Sequence, residues 1–153
     1  MNDEIKTAAE AVEAAALAGL YEVHCDPKAR NAATQPMPKA ITDTPAAEKS
    51  PAQRAYERMI LYISNFEEQL DATQEVAMGF TGGDAGVLRI EGMGYFDPDI
   101  VTFYGVDNSG SRTQLVQHVS QLSVLLRALP KPKEKTEPTR IGFRLAQELE
   151  KAT

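Results

Sequence analysis

The segment Asp97–Leu129 constrains the fold more than any other part of this chain. It holds an apolar run at Ile100–Val106, the turn sequence Asp-Asn-Ser-Gly at 107–110, and a second run from Arg112 in which leucine and valine alternate with polar residues. Asparagine and glycine tolerate positive φ and favour tight turns between antiparallel strands. The segment therefore predicts a β-hairpin, with one strand at Ile100–Val106 and the other at about 112–117.

Two shorter segments upstream are predicted to extend this hairpin into a sheet. Val76, Met78 and Phe80 alternate with less apolar residues, and Leu88 and Ile90 do the same further along the chain. Such alternation is typical of half-buried strands. The glycine-rich stretch between the two segments predicts a hairpin turn rather than a phosphate-binding loop, because neither a lysine nor a helix follows it.

Helices are predicted before and after the four strands. Ser50 supplies an N-cap oxygen, and Pro51 suits the first turn of a helix. The apolar residues that follow recur at helical steps: Tyr56, Met59, Ile60, Ile63, Phe66 and Leu70. Three acidic residues lie mostly off that apolar face: Glu57, Glu67 and Glu68. After the hairpin, Ser120 is predicted to cap a helix at Gln121–Leu129.

Together these elements predict an α+β fold. It consists of a small four-stranded antiparallel meander, a long N-terminal helix, and a following helix packed on it, with helical and disordered appendages. One alternative stays open, since the apolar residues of 112–126 also fit one face of a continuous helix. The predicted parts are an alanine-rich amphipathic helix in 1–25, a flexible linker at 26–50, the core domain at 51–129, a linker at 130–139 and a helical segment at 140–153.

The charge distribution argues against a nucleic-acid partner. The chain has a formal net charge of −6, and residues 51–129 hold ten acidic and five basic side chains. Phosphate binding depends on Lys and Arg displacing counterions, so this core is poorly suited to it. The aromatic residues of the strands are therefore assigned to core packing rather than to base stacking: Tyr95, Phe96, Phe103 and Tyr104.

Neither a secretory leader nor a membrane span is predicted. The chain begins Met-Asn-Asp-Glu, which is acidic where a signal peptide is basic. No apolar run approaches the roughly 20 residues that cross a bilayer. The single cysteine, Cys25, excludes an intrachain disulfide and a cysteine-based zinc site. We expect a cytoplasmic protein that uses no cofactor and has no membrane partner.

Three groups of polar residues are candidates for chemistry. Asp97 and Asp99 flank a proline and would suit a hard cation such as Mg²⁺ or Ca²⁺, although Asp-Pro-Asp is also ordinary turn chemistry. His118 follows the second hairpin strand, and antiparallel geometry would bring it near Asp99. The third group is a predicted ligand-binding set whose amides both donate and accept hydrogen bonds: Asp99, Tyr104, Arg112, Gln114, Gln117, His118 and Gln121.

The amide-rich group favours binding over catalysis, because glutamine neither titrates nor attacks. We therefore predict a non-enzymatic binding or assembly module that recognises a protein or a small polar ligand. Residues 3–20 are a candidate contact for a protein partner, and free sheet edges are candidate contacts for a homo-oligomer. The alternative is a small metal-assisted hydrolase of a phosphate-containing molecule, using Asp97, Asp99 and His118.

Five motifs resemble a bacterial family catalogued only as a domain of unknown function: Phe66–Leu70, Gly94–Asp99, Phe103–Gly105, Gln114–Leu126 and Arg140–Phe143. The likeness covers about residues 52–145, and the Gln-His-x-x-Gln-Leu segment is its most specific part. The resemblance implies a bacterial origin and a shared domain, and it supplies no catalytic residues. It also implies that Arg140–Phe143 associates with the core rather than with a tail.

Overall fold

The structure is a computed structural model, and it describes residues 46–80 and 86–151 together with Cys25. The predicted helix at 3–20, most of the predicted linker at 26–50 and the glycine-rich turn at 81–85 lie outside these residues. The described helices and strands are α1 (Pro51–Glu67), β1 (Gln74–Phe80), β2 (Val87–Phe96), β3 (Ile100–Val106), β4 (Arg112–His118), β5 (Val124–Pro130) and α2 (Ile141–Lys151). Two short 3₁₀ turns occupy Ala46–Glu48 and Val119–Gln121.

Helix α1 begins where its capping residues predict. The Ser50 side chain accepts a hydrogen bond from the Gln53 backbone N–H at 3.0 Å, and proline occupies the first helical turn. This bond satisfies one of the N–H groups that the first helical turn leaves without an intrahelical acceptor. The Ala52 N–H donates to the Pro98 carbonyl at 2.9 Å, so the start of α1 lies against the turn between β2 and β3.

The prediction of a four-stranded meander is wrong, because the sheet has five strands in the order β4-β3-β2-β1-β5. Strands β1 to β4 do form an antiparallel meander, and Arg112–His118 is a strand rather than part of a helix. The fifth strand pairs antiparallel with β1 from Gln74↔Pro130 to Phe80↔Val124. The broad α+β class fits this architecture.

The predicted helix at Gln121–Leu129 is wrong, because most of this segment forms strand β5. The local sequence pattern is ambiguous there. Leucine and valine occupy most positions of that segment, so an apolar face exists at a period of two as well as at 3.6. Pairing with the buried strand β1 decides in favour of the strand. The predicted Ser120 cap is also absent, since His118 is the N-cap residue of the 3₁₀ turn at Val119–Gln121.

A bulge in β2 divides the sheet into two halves. The register of β2 against β3 shifts between Ile90 and Gly92. The first two residues of β2, Val87 and Leu88, pair with β1. The rest of β2, Arg89–Phe96, pairs with β3. Strand β2 therefore belongs to a β5-β1-β2 half and to a β2-β3-β4 half, as expected where a bulge bends a strand.

One side of the sheet, here called the inner face, packs on both helices. The buried core joins apolar residues of the sheet and of both helices: Ile60, Ile63, Val76, Met78, Leu88, Ile90, Met93, Val101, Phe103, Ile141, Leu145 and Leu149. Because strand residues alternate between faces, the residues between these core positions lie on the opposite side, here called the outer face. The outer face of β3 thus carries Ile100, Thr102, Tyr104 and Val106.

Helix α2 is attached to α1 through a buried carboxylate. The Glu67 oxygens accept hydrogen bonds from the backbone N–H groups of Gly142 and Phe143, at 3.0 and 3.1 Å. Arg140 donates to the carbonyls of Gln74 and Asp71. The segment Arg140–Phe143 therefore contacts the core, as its resemblance to family motifs implied.

Candidate functional site

The β3–β4 hairpin brings Asp99 and His118 together at one end of the sheet. Ile100 pairs with His118, and the His118 Nε2 atom lies 3.1 Å from Asp99 Oδ2. The Val119 N–H donates to the Asp99 carbonyl at 2.9 Å, which fixes the backbone around this pair. Both side chains are roughly half exposed, so solvent weakens the interaction between them.

Ser120 completes a chain of polar groups with this pair. Its hydroxyl lies 2.8 Å from His118 Nδ1, and its backbone N–H donates to the same nitrogen at 3.1 Å. Because Nδ1 accepts that N–H, the proton of a neutral imidazole lies on Nε2 and is donated to Asp99. The Gln121 side chain in turn accepts from the His118 N–H at 3.0 Å. The His118 ring therefore serves as a local cap of the 3₁₀ turn.

The two predicted metal-binding carboxylates do not converge. Asp97 accepts a hydrogen bond from the Ser50 hydroxyl at the start of α1, whereas Asp99 faces His118. A cis peptide joins Asp97 to Pro98 in the turn between them. Among the described residues, no group of three or more His, Cys, Asp or Glu side chains is placed to hold a metal ion.

The predicted amide set is divided between the two faces of the sheet. Tyr104 pairs with Gln114 on the outer face, and Arg112 lies on the same face of β4. Gln117 pairs with Val101 on the inner face, where its Oε1 is buried and has no hydrogen-bond partner. These residues therefore do not line a single cavity, and only the outer-face members are available together for binding.

The outer face of the β2-β3-β4 half carries aromatic side chains that were predicted to be core. Phe96 is 75% exposed and Tyr104 is 46% exposed, whereas Phe103 is fully buried. The register places Phe96 beside Ile100, and Tyr104 beside Gly92, whose missing side chain leaves room for the ring. The prediction of core packing is wrong for Phe96 and Tyr104, because the alternation of β3 directs Phe103 and Tyr104 to opposite faces.

Buried carboxylates are the polar residues that sequence reasoning missed. Glu57 and Glu67 are 4% exposed although they were placed off the apolar face of α1. The signal was present in the spacing, because Glu57, Ile60, Ile63 and Glu67 follow one another at steps of three or four. Glu57 Oε1 accepts a hydrogen bond from Lys49 Nζ at 2.7 Å. Lys49 lies at the end of the predicted linker, so that end is packed against α1.

Glu75 anchors the segment between β5 and α2. Its carboxylate contacts Arg89 Nη1 and Lys135 Nζ at 3.1 Å each and accepts from the Thr139 N–H at 2.6 Å. Burial raises the pKa of this carboxyl, but the Thr139 and Lys135 hydrogen bonds outweigh burial and hold it below its usual value. These contacts attach the predicted linker at 130–139 to β1, and we assign them a structural role.

The fold described so far defines an α+β protein in which two helices cover one side of a five-stranded antiparallel sheet. The model of a family of unknown function, DUF6173, matches residues 46–144, and the chain belongs to this family. No curated protein and no solved structure matches the chain. Among the described residues, no helix is long and apolar enough to cross a membrane. The bacterial origin implied by the motifs stays a prediction.

Proposed function

We propose that this protein is a non-enzymatic binding or assembly module, and that it binds polypeptide at the free edge of strand β4. The observation that carries the proposal is that β4 is a regular, unprotected edge strand. It pairs with β3 at seven consecutive positions without a register shift, and it is the last strand of the sheet on that side. Among the described residues, no backbone hydrogen bond outside the β3–β4 ladder involves residues 112–117.

Strand β4 lacks the features that normally prevent edge pairing. Natural edge strands are protected by charged side chains, proline, bulges or short length. Strand β4 has seven residues, contains no proline, and carries one permanently charged side chain, that of Arg112 at its start. An incoming strand would therefore find a row of backbone donors and acceptors that no local feature excludes.

The side chains beside this edge suit a polypeptide better than a charged small molecule. Val116 is 57% exposed on the outer face of β4, next to exposed Gln114 and Tyr104. Strand addition draws affinity from main-chain hydrogen bonds and specificity from alternate side chains. Val116 supplies apolar area, and the Gln114 amide supplies both a donor and an acceptor to a neighbouring strand.

Replacing Val116 with aspartate should weaken strand binding at least about tenfold, which corresponds to about 1.4 kcal/mol. The probe is a fluorescein-labelled peptide of alternating threonine and valine with terminal lysines, titrated at concentrations where light scattering gives the mass of a single chain. The matched control is Phe143→Asp, because Phe143 is similarly exposed, at 60%, but lies on α2. Binding of this control should equal that of the wild type.

A second peptide, N-methylated at alternate residues, separates strand addition from general apolar contact. It retains the side chains but lacks backbone donors along one edge, and it should not bind. Equal binding of both peptides, or equal binding by wild type and Val116→Asp, would contradict the proposal.

The hydrolase alternative has one observation in its favour, the contact of His118 with both Asp99 and Ser120. A base held between a carboxylate and a hydroxyl is the arrangement that activates a nucleophile. The backbone N–H of Ser120 competes for the same nitrogen, however, and Asp97 is occupied by Ser50. Both contacts favour a structural role for Asp97 and His118.

Hydrolysis of p-nitrophenyl phosphate with Mg²⁺, Ca²⁺ or Mn²⁺ tests this alternative. We expect wild type and His118→Ala to show the same background rate, and the divalent ions to leave the melting temperature unchanged. A metal-dependent rate that His118→Ala and Asp99→Asn both abolish would establish the hydrolase and overturn the binding module.

A further inference from the structure

We infer that the polypeptide bound at the β4 edge is strand β4 of a second copy of this chain, and that the two copies form a dimer with two-fold symmetry. This inference rests on the proposed function and names its partner. A contact between one surface and its own copy is complete with two subunits. The two β4 strands run antiparallel when the two-fold axis is perpendicular to the sheet, and both outer faces then lie on the same side of the dimer.

Alternate residues of β4 direct their backbone groups away from β3. The Val119 N–H donates to the Asp99 carbonyl at one end of the β3–β4 ladder. The Asp107 N–H donates to the Ser111 carbonyl at the other end, and both bonds follow the register of the two strands. Because hydrogen-bonded pairs recur at every second residue of an antiparallel ladder, the odd-numbered residues of β4 bond to β3. The backbone groups of the even-numbered residues therefore point outward, and their side chains lie on the outer face.

The two β4 strands pair along their full length when Leu115 lies opposite Leu115 of the second copy. This register joins residues that both bond outward, since it places Gln114 opposite Val116 of the second copy. Leu115 is partly buried on the inner face, and it pairs with its own copy at a position where the Cα atoms lie about 4.5 Å apart. The two copies of Val116, each 57% exposed in the single chain, become diagonal neighbours on the outer face. The contact therefore has an apolar centre on both faces of the sheet.

Opposite charges meet at both ends of this contact. Arg112 lies opposite His118 of the second copy, and the His118 ring contacts the Asp99 carboxylate. The exposed Arg112 side chain extends toward that carboxylate, and the symmetry repeats the pair at the other end. A register displaced by two residues would place Arg112 opposite Val116 and would lose this charge pair. Charge complementarity thus favours the same register as the apolar centre does.

The β5 edge is less suited to strand addition than the β4 edge. The Lys131 N–H donates to the Thr73 carbonyl in line with the β1–β5 register. The odd-numbered residues of β5 therefore bond to β1, and Pro130 is one of the residues that face outward. Proline has no N–H for a neighbouring strand and is a common protection of natural edges. The Pro130 carbonyl already accepts a hydrogen bond from Arg89 Nη2 at 2.8 Å.

The helices leave room for a second copy beside β4. Among the described residues, the main contacts of α1 with strands are to β1, β2 and β3, and those of α2 are to β2. Both helices lie on the inner face, so the two-fold axis places the helices of both copies on the same side of the joined sheet. The dimer thus has one continuous outer face, made of the strands of both copies.

Matched substitutions on the two edges test the choice of edge. Sedimentation equilibrium of the wild-type full chain should give the mass of two copies at about 0.1 mM, a concentration suited to a small edge contact. Val116→Asp enters the contact twice and brings two carboxylates together, so it should raise the dimer Kd at least about 100-fold. Leu125→Asp is the control, because Leu125 is 49% exposed on the β5 edge, and it should dimerise as the wild type does. A monomeric wild type, or equal loss of the dimer in both variants, would exclude the β4 contact.

The strand peptide distinguishes failure of this inference from failure of the proposed function. The peptide and the second copy use the same edge, so adding the peptide to the wild-type dimer should convert it to peptide-bound single chains. A monomeric wild type that binds the peptide retains the proposed function and loses the second copy as its partner. A dimer that binds the peptide without dissociating would place the dimer contact elsewhere and so overturn the inference.

Disulfide trapping tests the register without a charged substitution. In a Cys25→Ser background, Leu115→Cys places two thiols in a close cross-strand pair and should give a disulfide-linked dimer on a non-reducing gel. Thr113→Cys is the control on the same face of β4, because residue 113 lies more than about 10 Å from its own copy in this register. Equal cross-linking of the two variants, or cross-linking of neither, would overturn the proposed pairing.

Discussion

Gly105→Ala should lower the free energy of unfolding by about 3 kcal/mol, or prevent folding altogether. A Cβ atom at residue 105 would lie 2.4 Å from the Arg89 carbonyl oxygen and 3.2 Å from the Ile90 Cα. These atoms are backbone, so they cannot move aside as a side chain would. They also belong to the stretch of β2 next to the bulge, where the two halves of the sheet meet.

Gly92→Ala is the matched control for this substitution. A Cβ atom at residue 92 would meet only the Tyr104 side chain, at 3.6 Å, which is ordinary contact. We expect a change of less than about 1 kcal/mol. Urea unfolding of both variants measures the difference, and equal stability of the two would show that the β2–β3 approach at Gly105 is not as close as described.

Glu67→Ala should destabilise the domain by about 2 to 4 kcal/mol, since it removes both acceptors at the start of α2. The N–H groups of Gly142 and Phe143 would then be left without partners, and an unsatisfied buried donor costs about 1 to 3 kcal/mol. No solvent or side chain can readily replace the carboxylate, because α1 and α2 are in close contact. A Cβ atom at residue 142 would already lie 2.8 Å from the Ser64 backbone nitrogen.

Glu67→Gln removes the titratable carboxyl and keeps one of its two acceptor oxygens, so it tests the effect of pH. Burial raises the pKa of Glu67 above its ordinary value of 4.5, and the hydrogen bonds from Gly142 and Phe143 offset only part of that effect. For a raised pKa the stabilising contribution is complete below the unfolded value and is lost as pH rises through the folded value. The wild type should therefore lose stability relative to Glu67→Gln as pH rises above about 4.5, in urea titrations at a series of pH values. A constant difference across this range would show that Glu67 titrates normally.

Local sequence signals predicted correctly those elements whose ends are set by contacts within a few residues. Ser50 and Pro51 located the start of α1, and the Asp-Asn-Ser-Gly sequence located the β3–β4 turn, in which Asp107 accepts from the N–H groups of Ser109 and Ser111. Turn and cap chemistry acts within a few residues, so a sequence shows it directly. The same hairpin produced the predicted approach of Asp99 and His118.

Non-local pairing accounts for the elements that were predicted wrongly. Nothing within Val124–Pro130 distinguishes strand from helix, and its partner β1 ends more than forty residues earlier in the chain. Helix α2 begins at Ile141, where Glu67 of α1 supplies acceptors for its N-terminal N–H groups. Such contacts depend on the assembled fold and leave little trace in the local pattern.

The binding role of the candidate residues stays a prediction, and their arrangement differs from the single cluster that was expected. Tyr104, Arg112 and Gln114 share the outer face, while Gln117 lies on the opposite face of the same strand. The period of two along β4 would have separated Gln114 from Gln117, since their positions differ by an odd number. Exposure of Val116 and Leu125 follows from the position of β4 and β5 at the edges, which only the strand order reveals.

Strand β1 lies between β2 and β5, and this position affects when the chain can fold during its synthesis on the ribosome. Strand β2, which pairs with one edge of β1, is synthesised soon after it. Strand β5, which pairs with the other edge, is synthesised later, as are Lys135 and Thr139, the partners of Glu75. Translation delivers these partners only after β1 to β4 have been made, so the interior stays accessible to solvent and chaperones until β5 has been synthesised. Ribosome-stalled chains ending before residue 124 should consequently remain protease-sensitive throughout residues 51–118.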